Sequence, residues 1–155
     1  MDWWSFFFSF RGRINRAKYW LALLIFFIVD TMLGLLGFAL DNTMTFKIFS
    51  FLVNLALFAA TIAVSIKRLH DRDRSARWLF LFFLGPVLFA VAGGAIMWAG
   101  AGSAIMEDWS FLLPRLCLLG AFALGIWGLV EMGFLPGTVG YNRFGQNPLG
   151  KNRGA

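Results

Sequence analysis

This sequence predicts an all-α integral membrane fold: a four-helix bundle with an interfacial helix at its N-terminus and both termini cytoplasmic. Three observations carry that expectation. Hydrophobic residues fill 59% of 155 positions, charged residues only 14%, and the mean hydropathy is +0.72, a balance unlike that of a soluble domain. Four apolar stretches are each long enough to cross a hydrocarbon core, which takes roughly 20 helical residues. The basic residues are gathered in the gaps between these stretches.

The elements follow in chain order. Trp3 to Phe10 is too short to span; as a helix it is aromatic around most of its circumference, with Ser5 and Ser9 one turn apart, which suits the membrane interface. A disordered aromatic terminus is the alternative. The first span covers Tyr19 to Leu40. Basic residues precede it as in a signal peptide, but it exceeds the usual apolar core of about 7–15 residues and carries Asp30 at its middle, so it reads as a retained span. The others cover Phe46 to Ile66, Trp78 to Gly100 and Leu116 to Leu135, making one transmembrane domain of residues 1–155. Each must be helical, because main-chain groups in lipid find no water. Continuous apolar character excludes the alternating strands of a barrel. Gly85-Pro86 predicts a kink in the third span, and the pairs Ala90/Gly94 and Ala121/Gly125 predict close helix contacts.

Charge sets the topology. Twelve of the 14 Lys and Arg residues lie in residues 1–18, 67–77 and 136–155, while Lys47 and Arg115 alone fall on the other side, alongside Asp41, Glu107 and Asp108. The positive-inside rule puts the three basic segments in the cytoplasm and requires an even number of spans. Trp20 and Trp78 mark the inner border, Trp98 and Trp109 the outer. The formal charge of +6 does not indicate a nucleic-acid partner, since the basic residues punctuate apolar runs instead of covering a soluble face. Cys117 is the single cysteine, so neither an intrachain disulfide nor a Cys/His zinc site can form.

Three polar residues interrupt the spans. Asp30 is central in the first, Glu131 lies about one turn from the inner end of the fourth, and Asn54 matches Asp30 in depth if the first two spans form a hairpin. An acid at a helix centre costs on the order of 2.5–3.5 kcal/mol in lipid, so Asp30 is expected to face the bundle interior and hydrogen-bond Asn54. Gly34 and Gly37 on the same stripe allow close approach. Either these groups are structural, or Asp30 and Glu131 relay protons or cations.

The three basic segments share detail beyond charge: Phe10-Arg-Gly-Arg-Ile-Asn-Arg16 followed by Tyr19-Trp20; Arg68-Leu-His-Asp71 with Arg74-Ser75 and Trp78; and Gly140-Tyr-Asn-Arg-Phe-Gly-Gln-Asn-Pro148. In this order they resemble the bacterial domain-of-unknown-function 805 family of small inner-membrane proteins, over nearly the whole chain. Members usually carry a glycine between the Asp and the Arg-Ser pair and a Gly-Trp before the final Trp, where this chain has Asp73 and Ala76-Arg77. The resemblance implies an inner-membrane protein and brings no established activity.

The chemistry of the loop from Lys67 to Arg77 narrows the function. His70 titrates near neutrality and Asp71 can orient it, but only Ser75 is at hand as a nucleophile, and His70, Asp71 and Asp73 are too few and too ringed by positive charge to hold a metal. Arg13, Arg16, Arg68 and Arg143, with Asn15 and Asn142, can converge on an anion, since guanidinium forks match phosphate oxygens. Alternatively Asp71 pairs with Arg13, Arg16 or Arg143 and the set forms a cap that ties both termini to the central loop. The leading expectation is a non-enzymatic inner-membrane protein whose cytoplasmic cap binds anionic phospholipid headgroups or a protein partner, with no cofactor and with homo-oligomerisation open. A small transporter using Asp30 and Glu131 comes second, and a headgroup-acting enzyme using His70 and Asp71 third.

Overall fold

The structure is a computed structural model that describes residues 2–40, 43–100 and 109–150. Asp41, Glu107, Asp108, Lys151 and Arg153, which entered the charge pattern, lie outside the described residues. The regular elements among the described residues are helices, apart from one isolated bridge between Asn142 and Gly145. Four helical stretches, Arg16–Ala39, Met44–Asp71, Phe80–Ala99 and Leu112–Phe134, have the length and apolar character to cross a membrane. The fold is that of an integral membrane protein. The chain falls into two compact units, Met1–Ser75 with Leu135–Ala155, and Ala76–Phe134.

In the first unit α1 (Trp3–Phe8) starts where Asp2 accepts a hydrogen bond from the Trp4 amide at 3.1 Å. Only Phe6 of α1 is buried, and Trp3 and Trp4 are exposed. Asn15 caps α2 (Arg16–Ala39) by accepting from the Lys18 amide at 2.8 Å, and Thr43 caps α3 (Met44–Asp71). Side-chain oxygens at these positions satisfy amides that a helix start leaves without partners. The short link from α2 to α3 makes a hairpin. At 28 residues α3 is about 42 Å long, beyond a hydrocarbon core of about 30 Å. Its apolar run ends at Ile66, so the turn from Lys67 to Asp71 lies past the apolar span.

That turn ends in a Schellman motif. The Arg74 amide donates to Leu69 O at 2.8 Å and the Asp73 amide to His70 O at 3.0 Å, with Asp73 at φ +55°. Asp73 thus takes the left-handed conformation that a glycine adopts most easily, and Asp is among the few other residues that tolerate it.

The second unit is also a hairpin, of α4 (Gly85–Gly100) and α5 (Trp109–Leu129), extended by π-helical segments at Phe80–Leu84 and Val130–Phe134. The disturbance expected at Gly85-Pro86 takes the form of the first π segment. Proline lacks an N–H and crowds the carbonyl four residues back, and the chain widens just before it, with the Gly85 amide bonded to Phe80 O. α5 begins at Trp109, earlier than expected, and contains Pro114.

The expected glycine contacts fall on different residues. A Cβ on Gly94 or Gly125 would meet no atom within 4 Å. One on Gly93 would lie 3.1 Å from Cys117 Cβ, one on Gly120 3.1 Å from Phe89, and one on Gly128 3.1 Å from Phe82. Trp78 joins an aromatic cluster, 5.9 Å from Phe82 and 5.8 Å from Trp127, while Trp20 and Trp98 are exposed as border anchors would be. The side chain of Trp109 lies outside the described part. Glu131 is buried within the second π segment.

Candidate functional site

The polar residues of the first unit meet around the last turn of α3. An α-helix ends with carbonyls that have no intrahelical partner, and here chain-distant segments supply donors. Ile14 N donates to Lys67 O at 3.3 Å, Asn142 Nδ2 to His70 O at 2.9 Å, and Thr138 N and Oγ1 to Asp71 O at 2.8 and 3.1 Å. Residues 10–15 and 135–145 therefore form a cap on α3.

Asp71 is the centre of this cap. One carboxylate oxygen accepts from Arg13 Nε at 3.1 Å and the other from Arg68 Nη1, and all three side chains are almost wholly buried. Arg13 uses its whole fork. Nη1 donates to Gly140 O at 2.9 Å and Gly145 O at 3.1 Å, while Nη2 donates to Thr138 O at 2.6 Å and Thr138 Oγ1 at 3.1 Å. Arg68 also donates to Leu135 O. Burial pushes the Asp71 carboxyl up and the Arg68 guanidinium down, and their mutual attraction opposes both shifts. Two guanidinium donors on one carboxylate favour its charged form against that burial.

Gly137 makes the close approach possible. A Cβ there would lie 1.9 Å from Asp71 Oδ2, so any other residue would force the tail or the Asp71 side chain to shift. Gly137 and Thr138 were missed in the sequence; the only signal was a Pro-Gly pair after a span, which reads as an ordinary turn.

His70 is held by structure as well. Its Nδ1 donates to Gly12 O at 3.2 Å, and the ring stacks on Phe144 with centroids 3.8 Å apart and planes 7° from parallel. Burial pushes the imidazole below its ordinary value; the Gly12 hydrogen bond opposes that, and the Arg143 charge adds to it. Arg143 itself pairs with Asp73, 3.1 Å from Oδ1, on the surface.

Lys67, by sequence one more basic residue of the loop, is buried. Its ammonium donates to Ser5 O at 3.0 Å and to Phe6 O, and stands 5.5 Å from the Phe6 ring centroid, so it pins the end of α1 to α3. A cation at the carbonyl end of a helix is favourable, although burial lowers the pKa of this one.

Of the residues expected to bind a headgroup or form a cap, Arg13, Arg68, His70, Asp71 and Asn142 are brought together, with hydrogen bonds to one another, to the Thr138 hydroxyl and to main-chain atoms of the cap. Asn15 caps α2. Arg16 is exposed and lines a cavity of about 270 Å³ with Asn15, Pro136, Thr138 and Asn147. No group of three or more His, Cys, Asp or Glu side chains is placed to hold a metal among the described residues.

The intramembrane expectation changes. Asn54 donates to Ser50 O of its own helix at 2.9 Å instead of pairing with Asp30, and Asp30 is exposed. An amide one turn above a main-chain carbonyl satisfies itself locally, without waiting for a second helix.

These features define a multi-span membrane protein with a polar cap built from three chain-distant segments. The family described as "Protein of unknown function (DUF805)" matches residues 7–146, and the chain belongs to it. It is 31% identical over 144 residues to Uncharacterized protein YiiR of Escherichia coli (strain K12), covering 90% of this chain and 86% of that protein. It is also 36% identical over 104 residues to Inner membrane protein YhaH, covering 59% of this chain and 83% of that protein, and 38% identical over 76 residues to Inner membrane protein YhaI, covering 49% and 63%, both of the same strain. No solved structure matches the chain.

Proposed function

We propose that the protein is a non-enzymatic inner-membrane module whose cap faces the cytoplasm and binds anionic phospholipid headgroups. The observation that carries this reading is the division of its arginines. Arg13 and Arg68 are buried in the cap's own bonding, whereas Arg11, Arg16 and Arg143 are exposed. Arg11 follows the exposed Phe10, and Arg16 stands one turn before the exposed Trp20 on α2. Aromatic rings favour the headgroup level and each nearby basic residue adds about 1 kcal/mol of attraction to an anionic leaflet. The exposed Arg143–Asp73 pair contributes little to stability, so its guanidinium can exchange carboxylate for phosphate at small cost.

The test is lipid analysis of protein purified in mild detergent, wild type beside the combined variant Arg11→Gln, Arg16→Gln, Arg143→Gln. Wild type should retain phosphatidylglycerol or cardiolipin and the variant should lose most of it while staying folded. Equal retention in both would remove the basis for this reading.

A further inference from the structure

The cavity beside Arg16 offers hydrogen-bond donors and little else that is polar. Its volume is about 270 Å³, and Pro136, Val139, Pro148 and Leu149 give it apolar walls. The polar side chains that line it have spent their acceptors. Asn15 Oδ1 takes the Lys18 amide at 2.8 Å and Asn147 Oδ1 the Leu149 amide at 3.0 Å, which leaves each carboxamide its nitrogen. Those two nitrogens donate to no atom among the described residues. Thr138 Oγ1 accepts from Arg13 and Asn142 and donates to Asp71 O, and the Asp71 carboxylate oxygens are held by Arg13 and Arg68. Arg16 adds an exposed guanidinium. Asp71 and its two arginine partners carry two positive charges against one negative, so the field at this wall also favours an anion.

The chemistry selects the occupant. A headgroup with glycerol hydroxyls or an ammonium brings donors for which these side chains keep no acceptor, and a donor buried without a partner is costly. A bare inorganic anion leaves the proline, valine and leucine surfaces uncovered. An apolar monocarboxylate satisfies both halves: its oxygens only accept, its charge meets the Arg16 fork, and its hydrocarbon covers the walls. The volume lies just under the usual range of about 300–1,000 Å³ for ligand pockets, which limits that hydrocarbon to a medium-length chain. The exposed Trp20, one turn along α2 from Arg16, favours the membrane border, where such amphiphiles gather.

We propose that this cavity binds a medium-chain fatty carboxylate, with Arg16, Asn15 and Asn147 holding its two oxygens. The site does not rest on the headgroup reading, whose other arginines, Arg11 and Arg143, do not line it. The probe is octanoate, titrated calorimetrically into the full-length protein in nanodiscs of neutral phosphatidylcholine, with the heat of empty nanodiscs subtracted. Saturable one-to-one binding is expected, weakened at least tenfold by Arg16→Gln, Asn15→Asp and Asn147→Asp, and partly kept by Arg16→Lys. Each Asp substitution keeps the oxygen that accepts from Lys18 N or Leu149 N and replaces only the donor, so both variants should unfold at the wild-type temperature; should either fail to fold, Arg16→Gln decides. Octanol and octylammonium should bind at least tenfold more weakly than octanoate. Heat no greater than that of empty nanodiscs, equal binding of octanoate by wild type and the folded variants, or equal binding of octanol would overturn the proposal. So would tighter, competitive binding of dihexanoyl phosphatidylglycerol, which would give the cavity to a headgroup instead.

Discussion

Gly137 and Asp71 show how little room the cap leaves. With a Cβ placed 1.9 Å from a buried carboxylate oxygen, Gly137→Ala must displace either the tail or Asp71, and overpacking of this kind costs about 1–3 kcal/mol. Its unfolding temperature in detergent should fall clearly below that of wild type, and an unchanged value would mean that the tail does not sit on Asp71. His70 gives the cap a pH dependence whose sign follows from its burial. The folded value lies below that of a free imidazole, about 6.5, so the folded cap prefers the neutral ring. The stability this represents is fully present above pH 6.5 and is lost as pH falls through the folded value. Thermal unfolding between pH 7.5 and 5 should show a drop in wild type that is smaller in His70→Gln. Sequence alone pointed to Arg13, Arg68, His70 and Asp71 as a polar group facing one side, because charge and motif survive without coordinates. It did not show that their donors point at one another, since a buried arginine and a topology-setting arginine carry the same letter.

The helices were legible where composition governs and less so where packing does. All four spans appear near their expected places because a run of about 20 apolar residues has one stable form in lipid. Their polar ends overran the apolar estimate: α2 starts at Arg16 and α3 continues to Asp71, since capping side chains and cap bonds sustain helix beyond the apolar run. Which glycine faces a neighbour was not legible, because spacing of four marks a stripe without choosing between stripes. Close contact falls on Gly93, Gly120 and Gly128, away from Gly94 and Gly125. Gly120→Leu is therefore expected to destabilise the α4–α5 hairpin by about 1–3 kcal/mol, and Gly125→Leu to stay within about 0.5 kcal/mol. Thermal unfolding of the two variants checks this, and equal effects would put the helix contact elsewhere. Lys67 makes the same point at α1, where one lysine counted for topology turns out to clamp a short aromatic helix.

Across the chain, the cap is a long-range closure: Asp71 and the main-chain carbonyls of Thr138 and Gly145, up to 132 positions from Arg13, meet on its guanidinium. Removing Asp71 leaves the buried Arg13 and Arg68 charges without their counter-ion, and breaking a buried pair in this way costs about 3–5 kcal/mol. Residues that share one network lose their energies jointly, so their separate costs do not add. The direct measurement is a double-mutant cycle of Arg13→Ala and Asp71→Ala, read as unfolding free energy in detergent micelles. Each single variant should be strongly destabilised and the double variant little worse than either. Losses that simply add would contradict a cap held together through Asp71.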